Sequence, residues 1–550
     1  MRTTKLLLAL SGLVMLCPPL AAQNALDRSD PAIAGEILGT QQQFERADDV
    51  TTAVTSIPLD IREMDAEDGV FVGAVRVEST VLPAASFIPA YEGFVGRTLS
   101  AEDLRALTTR VAAVLQNEGY VFATAWIQQQ RIQSGILQIS VDPGVVSQIR
   151  YVGTRNAAAK AFIDALGNGE PVTQARLERQ LLLAADIPGI RITDPQFFRQ
   201  EGEGVLQVAI VEDPVSGWAQ IDNNGSESVG PWRIQGSVNF LGVLGDGDQL
   251  SLSAVATPFE PGELSFAALR YEAGIGDGGT RFAVGGFFAR SNPDIGLLRG
   301  DIDGDSLSAY FTLSHPLVRS NDASLWGYTN LRYRETKQDE DGLRIREDRV
   351  TTAELGLNAY AWLAGTHLSG GIQLTQGIGI FDATRRNDPL SSRFDGSGVF
   401  TKVQLFGRIY KPLGSGFSVE ITGQAQISSR PLLAGGEMGL GGPVYARGFD
   451  YYERSGENAV AGVLELQYDL QELPDSTDNM QLYAFVDGAG VRNRGSGQGG
   501  GRLTSAGAGI RATIGERFRI AVEAAVPLNE DRFDSGDRTP RLRLLFGTDF

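Results

Sequence analysis

Arg447 stands in a glycine-rich stretch, Leu440-Gly-Gly-Pro-Val-Tyr-Ala-Arg447-Gly-Phe449-Asp450, and Asp487 follows inside an apolar one, Phe485-Val-Asp487-Gly-Ala-Gly490. A planar guanidinium can take a carboxylate through two parallel hydrogen bonds. A carboxylate withdrawn from bulk water needs such a partner, because an unpaired desolvated charge is costly. These residue types therefore suggest a lock rather than a reaction: Arg447 on a loop, Asp487 on a wall, Gly448 permitting close approach and Phe449 packing beside them. Reactive groups are otherwise sparse. His315 and His367 are the only histidines and have no cysteine partner, which argues against a metal site. Asp301-Ile-Asp303-Gly-Asp305 has its glycine too early for an EF-hand and reads as a solvated outer loop. Arg299-Gly300-Asp301 is too short to carry specificity. With no Ser-His-Asp order, phosphate loop or zinc signature, neither an enzymatic activity nor a cofactor is expected.

A wall able to hold such a pair has to come from strands. Residues 216–550 divide into sixteen, beginning near Ser216, Pro231, Gln249, Glu263, Thr280, Ser306, Ala323, Arg349, His367, Phe400, Gly416, Ala459, Met480, Arg502, Arg517 and Pro540. That is about 21 residues per strand and connection, enough for a tilted membrane-spanning strand of ~9–11 residues plus a loop. Val403, Leu405 and Ile409 alternate with Lys402, Gln404 and Arg408, a pattern that fits a lipid-facing barrel and a half-buried soluble sheet alike. Loop parity separates the two. Connections after even strands are short (364–366, 412–414, 515–516), whereas those after odd strands are long and polar (291–303, 336–347, 378–398, 429–456, 490–500, 528–538). Outer-membrane barrels show this asymmetry. The Arg447 loop is the sixth odd connection and the longest. Phe550 ends a period-two strand with Leu542, Leu544 and Phe546 on one face.

Composition agrees. Arg2, Lys5, the apolar run Leu6–Leu16 and Leu20-Ala21-Ala22 read as a signal peptide, residues 1–22. Its removal would take Cys17, the only cysteine, and with it any disulfide or thiol chemistry. After the signal no window approaches the ~20 apolar residues of a membrane helix. A net charge of −19 argues against nucleic acid. Residues 23–45 read as a short polar helix and 46–69 as an acidic linker. Residues 70–144 alternate strand, helix, strand, strand, with a capping box at Ser100–Asp103 opening the helix Ala101–Asn117. Residues 145–214 repeat an α/β module: strand Val146–Val152, helices Ala157–Leu166 and Thr173–Ala185, a turn at Ile187–Ile190, and strand Val205–Val211.

The Ala446-Arg447-Gly448-Phe449 segment resembles the (Val/Ile)-Arg-Gly-Phe loop motif of POTRA-containing outer-membrane transporters. Phe485-Val-Asp487-Gly-Ala-Gly490 resembles their Phe-x-Asp-x-Gly strand motif. The sequence departs at Ala446, where Val or Ile is usual, and at Ala489, where the last Gly is usual. The Gly119-Tyr120 and Gln128…Gly135-Ile-Leu137 pattern, and Leu183 with Pro188-Gly189, resemble two POTRA domains. The nearest likeness is to the transporter component of two-partner secretion systems, the haemolysin/filamentous-haemagglutinin secretion-activation family. That resemblance implies a transmembrane β-barrel of 16 antiparallel strands (215–550), two periplasmic POTRA domains and an N-terminal helix, which sits in the lumen as a plug or is a disordered tail. It implies an outer-membrane location, a secreted exoprotein client taken in extended form on POTRA strand edges, insertion by the barrel assembly machinery into outer-membrane lipid with Phe550 as signal, and a monomer. A barrel assembly factor of the same superfamily is the alternative. A diffusion porin would not need the first 200 residues, and a soluble exported β protein would not alternate its loops.

Overall fold

The computed structural model describes residues 69–550 apart from 129, 131, 133–134, 155, 294–300, 474–476 and 496–498, together with Leu26, Asp30, Pro31, Thr55 and Ser56. The expected signal at 1–22, and most of the expected helix at 23–45 and linker at 46–69, lie outside the described residues.

Sixteen strands close into one antiparallel ring. In chain order they are β1 (Val215–Asp222), β2 (Arg233–Leu241), β3 (Gln249–Ala256), β4 (Leu264–Ile275), β5 (Thr280–Ser291), β6 (Ile302–Arg319), β7 (Ala323–Glu340) and β8 (Leu343–Leu363). The second half comprises β9 (Thr366–Ile378), β10 (Thr401–Gly414), β11 (Phe417–Ser428), β12 (Asn458–Asp469), β13 (Thr477–Arg492), β14 (Gly501–Ile514), β15 (Phe518–Pro527) and β16 (Arg541–Asp549). Each pairs with its chain neighbour, and β16 returns to β1 through Trp218↔Asp549 to Asp222↔Leu545. Phe550 completes this seam: its N–H and C=O both bond Gly217, at 2.9 and 2.7 Å, and its ring lies where a side chain on Gly217 would be.

The faces are inverted relative to a soluble sheet. On β12 and β13, Leu464, Leu466, Leu482 and Val486 point outward and are exposed, while Glu465, Gln467 and Asp487 point inward and are buried. On β6, Leu307 and Phe311 are outside and Ser306 and Ser308 inside. Apolar out and polar in, repeated around a closed ring, is the arrangement lipid demands. Alternation alone left open which face met water, and ring closure settles it.

Two outer connections differ from expectation. Residues 336–347 form no long loop; β7 and β8 run on to a turn at Asp341-Gly342. The charges that read as loop pair with one another instead, Arg349 with Glu335 and Arg344 with Asp339 across β7 and β8, and Arg349 with Glu347 along β8. Asp303 and Asp305 likewise belong to β6 rather than to a loop, and Arg290 bonds Asp305 at 3.0 Å.

In front of the barrel, helix α1 (Ala101–Asn117) opens with the expected capping box, Ser100 and Asp103 exchanging bonds of 3.0 and 3.2 Å. The Ser100 N–H and hydroxyl both donate to the Asp103 carboxylate and hold it below its usual range, the N–H contributing most. Leu104, Leu107, Val111 and Leu115 are buried against a sheet ordered Ala74–Glu78, Ile136–Asp142, Thr124–Trp126. The first strand expected in 70–144 is broken at Gly73 into Val70–Val72, which pairs with Arg97–Leu99, and Ala74–Glu78. A short helical passage, Ala84–Phe94, buries Phe87, Ala90 and Phe94; at so few residues, with Pro89 inside, it left no periodic signal.

In the second module α2 (Ala157–Asp164) and α3 (Gln174–Ala185) cover strands Gln148–Gly153, Glu203–Glu212 and Ile190–Gln200. Sequence reasoning missed the last strand because Asp194-Pro195 interrupts it at a register shift. Thr55–Ser56 pairs in parallel with Gln196–Phe197, so this part of the linker adds a strand to the module's edge. The module docks on the barrel's inner rim through Arg319, whose guanidinium holds Asp186 at 2.7 and 2.9 Å.

The inward loop and its lock

The segment 429–457, between β11 and β12, crosses the lumen. Near its start the Gly435 carbonyl accepts a bond from Arg334 on β7, and the Gly436 carbonyl accepts bonds from Lys402 on β10 at 3.3 Å and Gln426 on β11 at 3.2 Å. A small hairpin, Met438–Leu440 with Arg454–Gly456, then carries the tip to the β12–β16 wall. Strands β7 and β15 stand on opposite sides of the ring, so the loop bridges the pore.

At the tip the chain turns on Ala446, which takes φ +52°, and Phe449 N–H closes the turn onto the Ala446 carbonyl at 3.0 Å. Alanine tolerates that left-handed geometry better than the branched residue usual there. Phe449 is fully buried in a cluster with Tyr445, Ala446, Phe485 and Leu503, a burial that stabilises by about 1.5–3 kcal/mol. Gly448 lies flat on the wall. Its N–H donates to Ser505 Oγ at 3.0 Å, and a Cβ would come within 2.8 Å of Pro527 N and 2.9 Å of Ser505 Cβ.

The expected bidentate pair between the Arg447 guanidinium and Asp487 does not form. Asp487 instead accepts the Arg447 main-chain N–H at 2.8 Å and the Ser505 hydroxyl. The guanidinium runs farther along the wall, donating to Glu465 on β12 at 3.0 Å and Glu523 on β15 at 2.9 Å. Its carbon sits 4.0 Å from the Phe485 ring centre, a cation–π contact. The physical reason is reach: an arginine whose backbone docks beside Asp487 extends its side chain past that carboxylate to the next inward rungs. Those rungs are defined by the pairing Glu465↔Phe485 and Glu523↔Arg543.

Tyr483 steadies Glu523 through a 3.0 Å bond, and Gly507 and Gly509 on β14 leave room for the Phe485 and Tyr483 rings. Gly490 has no such duty, since a Cβ there would meet nothing closer than 3.7 Å.

Two arginines of the last strand complete the lock. Arg543 donates to the Arg447 carbonyl at 2.9 Å and to the Phe449 carbonyl at 3.4 Å. Arg541 holds Asp450 at 2.8 Å, and Ser226, after β1, bonds the same carboxylate at 3.0 Å. The loop thus straps the seam where the barrel closes. Glu465, Ser505, Glu523, Arg541 and Arg543 escaped sequence reasoning. Their signal was present as charged or hydroxyl residues at inward parity within otherwise apolar strands.

The expected plug is described only in part. Leu26 is helical and buried against Ile302, its carbonyl accepts a bond from Gln338 on β7 at 2.9 Å, and Pro31 lies 3.3 Å from the place a Cβ would occupy on Gly304. These residues stand inside the barrel. His315 on β6 bonds Thr280 at 2.8 Å, and His367 on β9 packs on Trp362, 5.0 Å between ring centres.

A sixteen-strand transmembrane barrel fronted by α/β modules and closed by an arginine-bearing inward loop defines a class of outer-membrane protein. The haemolysin secretion/activation protein ShlB/FhaC/HecB family matches residues 205–512, a ShlB-type POTRA domain matches 71–144, and the chain belongs to that family. The heme/hemopexin transporter protein HuxB of Haemophilus influenzae (strain 86-028NP) is 23% identical over 277 residues, covering 48% of each chain. The chain thus spans about half the length of that relative. The outer membrane transporter CdiB of Escherichia coli is 25% identical over 441 residues, 77% of this chain and 73% of its own. A solved structure of CdiB from Escherichia coli superposes with a TM-score of 0.70 over 98% of this chain and all of that one, at 21% identity, and so shares the fold. The barrel lies in the outer membrane and the 71–144 domain in the periplasm.

Proposed function

We propose that this chain exports a partner exoprotein by two-partner secretion. An extended client docks on strand edges of the domain at 71–144 and of the module at 145–214, read as a second POTRA, where backbone hydrogen bonds give affinity with little demand on sequence. It then threads the barrel and folds outside, and that folding biases transport in a compartment without nucleotide. The working unit is a monomer, inserted by the barrel assembly machinery, and no catalytic step or cofactor is assigned. The observation that carries the reading is the inward loop, locked across the lumen from β7 to β15 by side chains at both walls. A diffusion porin has no use for that lock together with two preceding modules.

Removing residues 71–144 is expected to leave the barrel in the membrane and strand the client in the periplasm, as measured by immunoblot of medium and periplasm. A general fall in unrelated outer-membrane barrels would favour an assembly factor instead. Undiminished client in the medium would refute recognition by this domain.

A further inference from the structure

The outer mouth carries a second fastening, separate from the Arg447 lock. Arg393, in the connection 379–400 after β9, is buried and reaches into two other outer connections. Its Nε donates to Asp395 at 2.9 Å, its Nη1 to Glu437 at 2.8 Å and to Glu457, and its Nη2 to the Arg494 carbonyl. Arg494 N–H returns a 2.9 Å bond to Glu457, and Ser455 Oγ donates to Glu437 at 2.9 Å. Glu437 and Glu457 belong to the inward loop, and Arg494 to the connection after β13. Beside Arg393, Ser392 N–H donates to Asp348 on β8 at 3.0 Å, and its hydroxyl accepts Ala434 N–H of the inward loop at 2.9 Å. The base of the same connection is fixed to β8 by Thr384 N–H on the Arg349 carbonyl at 2.9 Å. Arg393 therefore ties the connection after β9 to segments rooted at β11, β12 and β13, and the backbone N–H groups of Ser392 and Thr384 add β8, so that the fastening runs around much of the rim.

Breaking such a node is costly, because a buried charge that loses its partners is left uncompensated. Contacts of this kind hold one arrangement firmly and give way together.

We propose that Arg393 is the positioning residue of an outer clasp that holds the 379–400 connection over the inward loop, and that the clasp opens each time a client leaves the barrel. The connection at 379–400 is then a lid. Its fastening to Ala434 couples lid movement to the loop that crosses the lumen. The proposal rests on the export reading, since a client must pass between these segments to reach the outside.

The test tethers the two parts in the full-length chain. Ser392→Cys with Ala434→Cys puts one thiol on each segment, at two residues that a 2.9 Å bond from the Ala434 main-chain N–H to the Ser392 hydroxyl now brings together, and Cys17 is the only native cysteine. The oxidised pair is expected to block secretion of the client into the medium, and reduction to restore it, with the folded barrel unchanged. Equal secretion from oxidised and reduced chains would overturn the clasp. A wild-type chain that secretes no client would instead overturn the export reading, so the two failures are distinct. In planar bilayers Arg393→Ala is expected to raise ion conductance severalfold, with Arg393→Lys intermediate. Should Arg393→Ala fail to fold, Glu457→Gln supplies the same reading. Wild-type conductance in a folded variant would contradict the proposal.

Discussion

Replacing Arg447 by alanine should stop export almost completely while the barrel still reaches the membrane. The side chain holds two buried carboxylates on separate strands, Glu465 at 3.0 Å and Glu523 at 2.9 Å, and lies on the Phe485 ring. Removing one partner from a buried ionic group costs up to about 3–5 kcal/mol, and here Glu465 would be left with Arg511 and Gln467, and Glu523 with Tyr483 and the more distant Arg543. That is comparable to or larger than the ~1.5–3 kcal/mol released by burying Phe449, so the tip, left with its bonds to Asp487, Ser505, Arg541 and Arg543, is expected to come away from the wall. None of the strand pairing passes through Arg447, so the barrel itself persists. Asp487→Ala should act in the same direction but more weakly. It removes one acceptor of a main-chain N–H, a bond to a charged group of about 1.5–3 kcal/mol, and leaves the guanidinium anchored. Secreted client, normalised to heat-resistant folded barrel, is the measurement. Equal defects from the two substitutions would mean that Asp487, not the glutamate pair, governs the lock.

Gly448→Val should match the arginine defect by a different route. A Cβ at that position meets Pro527 N at 2.8 Å and Ser505 Cβ at 2.9 Å, and the first is backbone of a ladder strand that cannot step aside. The clash lifts the tip and breaks the 3.0 Å bond from Gly448 N–H to Ser505. Overpacking of this kind costs about 1–3 kcal/mol where neighbours can relax, and more where they cannot. Export should fall while Arg447 remains in place, and Gly448→Ala should fall less. Normal secretion by Gly448→Val would show that the loop does not rest on the wall as described.

Most of the barrel was legible because lipid imposes a period of two on every strand and parity on the loops. Phe550 and the Leu542–Phe546 face mark the closing strand for the same reason. Where reasoning slipped, a local signal was ambiguous. The charges between Glu335 and Arg349 look like solvated loop, yet they satisfy one another along and across two long strands. Ile190–Gln200 hides behind Pro195, and the 84–94 helical passage is too short to show a period.

The lock was half visible. Motif spacing brought Arg447 and Asp487 together, but sequence carries no information on how far an arginine side chain travels beyond its own backbone. Glu465 and Glu523 sit in different strands, and only the ring places them on either side of Phe485. Arg543 was less legible still, because what it holds are main-chain carbonyls, which no sequence pattern names.

The lock is tested most directly by a single thiol at Leu503, a fully buried residue beneath Phe449 on the inner wall. In Leu503→Cys cells the loop should shield this thiol from a membrane-impermeant maleimide. With Arg447→Ala added, the tip should leave and the thiol should label readily. A thiol that labels with Arg447 intact, or stays protected once Arg447 is gone, would contradict a tip held on the wall by that side chain.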